Sequence, residues 1–299
     1  MTGWFKTASR LPGFLFALTC FALTAAGGCS DGTKPAQLPG TGEARRIVAL
    51  APSLAELVFA AGAGEYLVGT VEYSDFPPPA QIVPRVGNAF RVDLERLTQL
   101  QPDLVLVWGS GNPADMQLRL KELGFPVLTL EPRSLEDVAK HVRLVGRFAG
   151  TQNIADAAAT AYSDSLAETF ASYAAEPSQK VFFQISADPW FTVNGEHVIS
   201  RIIGRCGGIN VFADADVLAP SVSLEAIIAA DPDVIVAAVA RRGQTDWQQQ
   251  WQRFDRVSAV RNQQLVGIES DKISRSGLRL ADGARQLCSA LAGFREAGS

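Results

Sequence analysis

The chain has 299 residues, 47% of them hydrophobic and 19% charged, with a formal net charge of −4. That is long and apolar enough to bury a large core, and the scattered Lys and Arg exclude a nucleic-acid surface. No apolar run beyond the N-terminal region reaches the 18 or so residues of a membrane span.

Residues 1–28 read as a secretory leader. Lys6 and Arg10 precede the apolar run Leu11–Ala26, which is short for a membrane helix and suits a signal h-region. Ala26-Gly27-Gly28-Cys29 resembles a bacterial lipobox, so Cys29 is the expected lipidation site and 29–44 a lipidated tether. Removing Lys6 and Arg10 takes the formal charge to about −6.

The body alternates strands and helices. Predicted are a strand Arg46–Ala51, a helix Leu54–Ala61 capped by Ser53, and a strand Tyr66–Glu72 ending in the proline-rich loop Tyr73–Pro79. A helix Leu94–Gln99, strand Asp103–Trp108, helix Met116–Leu123, strand Val127–Leu130 and helix Leu135–Phe148 complete a first series. A second contains strands at Val181–Ile185, Val234–Val239 and Leu265–Ile268. Its helices fall at Val198–Arg205, Leu224–Ala230, Trp247–Phe254 and Leu280–Leu291. Between the two, small and apolar residues from Ile154 to Tyr173 (Ala157, Ala158, Ala161, Tyr162, Ser165, Leu166, Thr169, Phe170) hold helical spacing without Gly or Pro. That predicts one long helix.

The expectation is an α/β fold: lobes at 45–150 and 178–299, with mainly parallel sheets, joined by one long rigid helix within 151–177. An internal repeat supports the division. Asp93–Val107 returns 130 residues later as Ser223–Ala237, matching Leu94 with Leu224, Glu95 with Glu225 and Pro102-Asp103 with Pro232-Asp233.

Chemistry is sparse. There are two histidines, His141 and His197, and no HExxH, CxxC or GxSxG pattern. Gly62-Ala63-Gly64 follows a helix rather than a strand and is no dinucleotide loop. His141 lies on a charged helix face, where solvation is the expected role. Binding is better supported: Tyr73, Phe76, Phe90, Trp108 and Trp190-Phe191 stand where strands run into loops, the usual ligand edge of an open α/β sheet. Of four cysteines, Cys20 leaves with the leader and Cys29 takes lipid. Cys206 and Cys288 remain as an exported pair, for which a disulfide is expected and two buried thiols are the alternative.

Leu50–Leu57, Tyr73–Pro78, Leu94–Leu97 with Gln101–Asp103, and Cys206–Phe212 together resemble the periplasmic binding proteins with a helical backbone. That family serves ABC importers of vitamin B12, iron-siderophores and haem, and the similarity runs from Arg46 to Leu291. Cys206 and Cys288, the latter within Gln286–Leu291, are similar to the cobalamin-binding members, whose two cysteines form a disulfide. The resemblance implies a non-enzymatic, monomeric protein of the periplasm that carries a corrinoid to a permease dimer and uses no cofactor of its own. It implies aromatic ligand contacts at Tyr73, Trp108 and Phe191 and polar ones at Asp271 and Arg275. Ala89, Ala219 and Ser274 depart from the pattern, with Phe90 and Trp190 as compensating aromatics. Glu95 and Glu225 fall on the transporter-docking positions. A haem or iron-siderophore binder, with Tyr73 or His197 touching the metal, is the alternative. A cell-envelope enzyme with a two-lobed cleft is the alternative of another class.

Overall fold

A computed structural model describes residues 38, 40–175, 178–240 and 245–297. The leader, Cys29, most of the tether and, at the end of the span expected for the joining helix, Glu176 and Pro177 lie outside the described residues.

The first lobe is laid down as β1 (Ile47–Ala49), α1 (Pro52–Ala60), β2 (Leu67–Thr70), α2 (Leu94–Gln99), β3 (Leu104–Trp108), α3 (Ala114–Glu122), β4 (Val127–Leu130) and α4 (Leu135–Ala149). Its four strands are parallel in the order β2-β1-β3-β4, with Ile47 beside Leu104 and Val105 beside Val127. Strand β3 is buried on both faces along Leu104–Val107, which is why it reads as an unbroken apolar run. Helix α1 starts at Pro52, whose fixed φ suits a first helical position, so Ser53 lies inside the helix and does not cap it.

After α5 (Gln152–Ser172) comes the second lobe. It contains β5 (Gln179–Gln184), a short antiparallel hairpin of β6 (Ser186–Ala187) and β7 (Trp190–Phe191), α6 (Val198–Arg205), β8 (Gly208–Asn210), α7 (Leu224–Ala230) and β9 (Val234–Val239). It ends with α8 (Asp246–Gln249), α9 (Ser258–Arg261), β10 (Leu265–Glu269), α10 (Ser270–Ile273) and α11 (Leu280–Ala297). The sheet is parallel in the order β10-β9-β5-β8. Mapping β5 onto β1, β8 onto β2, β9 onto β3 and β10 onto β4 makes the two sheets topologically identical.

The sequence repeat is a structural one. Asp93 caps α2 by accepting from Arg96 N at 3.0 Å, and Ser223 caps α7 by accepting from Ala226 N at 3.1 Å. Both helices leave through a left-handed residue, Gln101 at φ 44° and Asp231 at φ 43°. The aspartates that follow each proline then pin the lobe's first strand. Asp103 accepts from the Arg45 and Arg46 amides at 2.8 and 3.0 Å, and Asp233 accepts from the Lys180 amide at 2.8 Å.

Helix α5 packs on α1 and α4 of the first lobe and on α11 of the second, and one hydrophobic cluster runs through both lobes along it. Its buried face is Ala155, Ala159, Tyr162, Leu166, Thr169 and Phe170. The expected stripe is right from Tyr162 onward but misplaced before it, since Ile154, Ala157 and Ala161 are exposed. Alanine at four of the eight positions Gln152–Ala159 leaves the first two turns without a clear periodic signal, and close approach decides the face instead. A Cβ on Gly146 of α4 would sit 2.3 Å from the Ala155 methyl, so those helices meet through their smallest residues. Gly150, at φ 76°, makes the left-handed turn between α4 and α5.

The predicted helix Trp247–Phe254 shortens to α8. Trp251 is fully buried, its indole N–H donating to Gln184 Oε1 at 2.8 Å, and that anchor turns the chain inward. Cys206 and Cys288 form the expected disulfide, with Cα atoms 4.7 Å apart, tying the end of α6 to the middle of α11.

Candidate functional site

The carboxyl ends of the strands in both lobes feed one open cleft of about 800 Å³. The first lobe contributes Trp108 at the end of β3, with Gly109 and Ser110, and Glu131 and Arg133 just past β4. The second contributes Glu196, His197 and Arg201 at the start of α6, Leu218, and Ser276 after α10.

Trp108 is held from behind. Its amide donates to Asn112 Oδ1 at 2.7 Å, while the buried Asn112 amide donates to Leu50 O at 2.9 Å and Ala89 O at 2.7 Å. One asparagine thereby joins the Trp108 turn to the loop carrying Phe90. A Cβ on Gly111 would overlap the indole, so the ring lies flat over that turn. Glu131 orders the neighbouring turn by accepting from the Ser110 amide and, at 3.1 Å, from its hydroxyl.

The other expected contacts are distributed more widely. Tyr73 is 76% exposed at a left-handed φ of 63° in the loop after β2, and Phe90 is 75% exposed. Phe191 is half-buried in the hairpin and bridges to Ser221. The Trp190 ring packs 4.9 Å from that of Trp251, toward the core of the second lobe. Asp271 and Arg275 face each other at 2.8 Å and belong to an ionic cluster that spans the lobes.

That cluster gave no sign in the sequence. Arg275 also reaches Asp75 at 2.9 Å and Glu56 at 3.3 Å, while Arg279 grips Glu56 with two bonds of 3.0 and 2.6 Å. Its guanidinium lies 4.2 Å from the centre of the Phe76 ring. Burial works against a charged Arg279, but the Glu56 carboxylate outweighs it and holds the pKa above its usual value. Burial also opposes an ionised Asp75, yet the Arg275 bond and charge keep its pKa below the usual range. The partners lie about 200 residues apart, which no local pattern records.

His197 is the N-cap of α6: Nδ1 accepts from the Ile199 amide at 3.2 Å. Burial lowers its pKa to about 4, so at neutral pH the ring is uncharged and carries its proton on Nε2. Its contribution to stability is complete above the unfolded pKa near 6.5 and is lost as pH falls toward 4. Acidification from pH 7 to 5 is therefore expected to cost roughly 2 kcal/mol at this site. His197→Asn keeps a capping acceptor without a titrating ring and should remove that part of the pH dependence. Urea unfolding of both proteins at the two pH values checks this, and equal pH sensitivity would contradict it. His141, expected to be solvated, is instead half-buried on α4, and burial lowers its pKa too.

Among the described residues no group of three or more His, Cys, Asp or Glu side chains could hold a metal ion. No described helix is long and apolar enough to cross a membrane. Glu95 and Glu225 sit exposed in the first turns of α2 and α7, at equivalent places in the two lobes.

Comparison with known proteins agrees with this architecture. The vitamin B12-binding protein of Vibrio cholerae serotype O1 is 32% identical over 248 residues, covering 83% of this chain and 89% of its own. The crystal structure of the periplasmic vitamin B12 binding protein of Vibrio cholerae superposes with a TM-score of 0.79 at 31% identity, over 84% of this chain and 98% of that one. A periplasmic heme binding protein from Pseudomonas aeruginosa shares the fold at a TM-score of 0.71 and 23% identity, over 84% of this chain and 93% of its own. Residues 47–272 match the family of periplasmic binding proteins. With two topologically identical lobes, a joining helix and a cleft at the strand ends, the chain belongs to the periplasmic binding protein family.

Proposed function

We propose that this protein captures cobalamin or a related corrinoid between its lobes and delivers it to an ABC importer, from the periplasm and anchored by lipid on Cys29. The observation that carries the reading is the chain-long relationship to vitamin B12-binding proteins, at 32% identity. The cleft is consistent with it. Its volume of about 800 Å³ lies near the upper end of small-molecule sites, and it sets the indole of Trp108 among polar side chains. A flat, partly apolar ligand bearing many hydrogen-bonding groups suits that mixture.

Binding without turnover fits the same residues. Glu131 is engaged in ordering the Ser110 turn, and His197 spends its Nδ1 lone pair on the cap of α6. Neither is set up as a base beside a nucleophile. The His197 geometry also tells against the haem alternative through this residue. An imidazole ligand must offer iron a bare lone pair, whereas Nδ1 is occupied and Nε2 carries the proton.

Trp108→Ala and Tyr73→Ala are each expected to weaken corrinoid binding by about 1–3 kcal/mol, the range for a lost aromatic contact. Thermal stability should fall less than affinity for Tyr73→Ala, given its exposure. Isothermal titration with cyanocobalamin measures the affinities, and thermal melting the stabilities. Wild-type affinity in the two variants would remove this rim from the ligand site.

A further inference from the structure

Glu56 is an outlier among the charged groups of the first lobe. It lies on α1 with its side chain only 4% exposed, and its partners are two arginines of the other lobe. A buried carboxylate with two guanidinium partners is costly to disrupt, because removing it leaves Arg275 and Arg279 with only the more exposed Asp75 and Asp271 as counter-charges. The segment it grips is also a wall of the cleft. Arg275 and Arg279 flank Ser276, which lines the cleft, and a Cβ on Gly277 would sit 3.2 Å from Glu56 Oε2. On the first lobe the same cluster holds the loop after β2: Asp75 is paired with Arg275, and Phe76 lies beneath Arg279. Tyr73 belongs to that loop.

We infer that Glu56 is a positioning residue for the ligand site. Without touching ligand, its carboxylate locks the 274–279 turn of the second lobe to the 73–77 loop of the first and so sets the width of the cleft. Arg275 then acts chiefly as a strut, its guanidinium shared among Glu56, Asp75 and Asp271. Helix α5 holds the lobes together along their length, and the Glu56 latch fixes the remaining opening angle at a second point. A small closing motion on binding follows from two attachments rather than one. The inference rests on the proposed function for its ligand, but the latch itself can be measured without one.

The test compares wild type, Glu56→Gln, Glu56→Cys and Glu56→Cys/Gly277→Cys. Gln keeps the shape of the side chain and removes its charge. In the double variant, the Glu56 Cβ and a Cβ built on Gly277 are 3.8 Å apart, a separation suited to a disulfide. Hydrogen exchange of the unliganded proteins should show faster exchange in 73–77 and 274–279 for Glu56→Gln, with the β-sheet amides unchanged. Cyanocobalamin should bind Glu56→Gln and Glu56→Cys at least tenfold more weakly, with the change in the dissociation rate. The oxidised double variant should return to within about threefold of wild type, because a covalent latch replaces the ionic one. Because a disulfide also adds global stability, the melting temperatures of all four proteins are measured alongside, and affinities that follow melting temperature rather than exchange in 73–77 and 274–279 would overturn the latch. Unchanged exchange in both segments for Glu56→Gln would overturn the latch, and unchanged affinity would overturn its role in the site. If wild type binds no corrinoid while the exchange result holds, the proposed ligand fails and the latch stands.

Discussion

Cys206→Ala/Cys288→Ala is expected to melt roughly 8–20 °C below the wild type. The disulfide closes a loop with a sequence separation of 82 residues, and in the chain-entropy model that constraint is worth roughly 4–5 kcal/mol. The loop contains β8, α7, β9 and β10, most of the second sheet, so opening it releases the unfolded state of a whole lobe. Both sulfurs are completely buried between α6 and α11, and two alanines leave lost contacts as well as a lost bond. Calorimetry of the double variant measures the effect. Melting within 2 °C or so of wild type would mean the crosslink contributes little, as happens where the reduced chain retains structure.

Glu95→Ala/Glu225→Ala is expected to abolish importer docking while leaving corrinoid affinity within about twofold, since an exposed charge remote from the cleft adds little to it. Each glutamate lies in the first turn of its helix, where the helix dipole favours an acid whatever else it does. The two lobes, however, reproduce one another down to the caps at Asp93 and Ser223 and the left-handed exits at Gln101 and Asp231. Equivalent carboxylates on equivalent helices suit a permease dimer that offers one basic patch per subunit. Two weak contacts made together hold far more tightly than either alone, so each single variant should dock measurably and the double should not. Transporter pull-down beside ligand titration separates the outcomes, and undiminished docking of the double variant would return both residues to ordinary helix-start acids.

Most of the fold is legible in the sequence because buried parallel strands announce themselves. Leu104–Val107 and Val234–Ala237 are apolar on both faces, and each follows a Pro-Asp turn that the chain uses twice. Shorter pieces leave no such trace. Strand β8 has three residues, one of them glycine, and the β6–β7 hairpin has two per strand. The alanine-rich start of α5 misleads because alanine is compatible with either face. The cleft divides in the same way. Trp108 is visible as an aromatic at a strand end, whereas Glu131 lies in a loop and Arg201 reads only as the polar face of an amphipathic helix. Glu131 does follow β4 directly, and the rule that ligands gather beyond strand carboxyl ends points to it as well as to Trp108. The Glu56 latch depends on residues joined only by the closed fold, and a single sequence carries no signal for it.

Absorption spectroscopy of the purified protein, after separate incubation with cyanocobalamin, haem and a ferric siderophore and passage through gel filtration, tests the proposed ligand most directly. A red complex with one cyanocobalamin per chain that survives the column, with no such complex for haem or the siderophore, is the predicted result. A stoichiometric haem or siderophore complex, with cyanocobalamin eluting free, would contradict it.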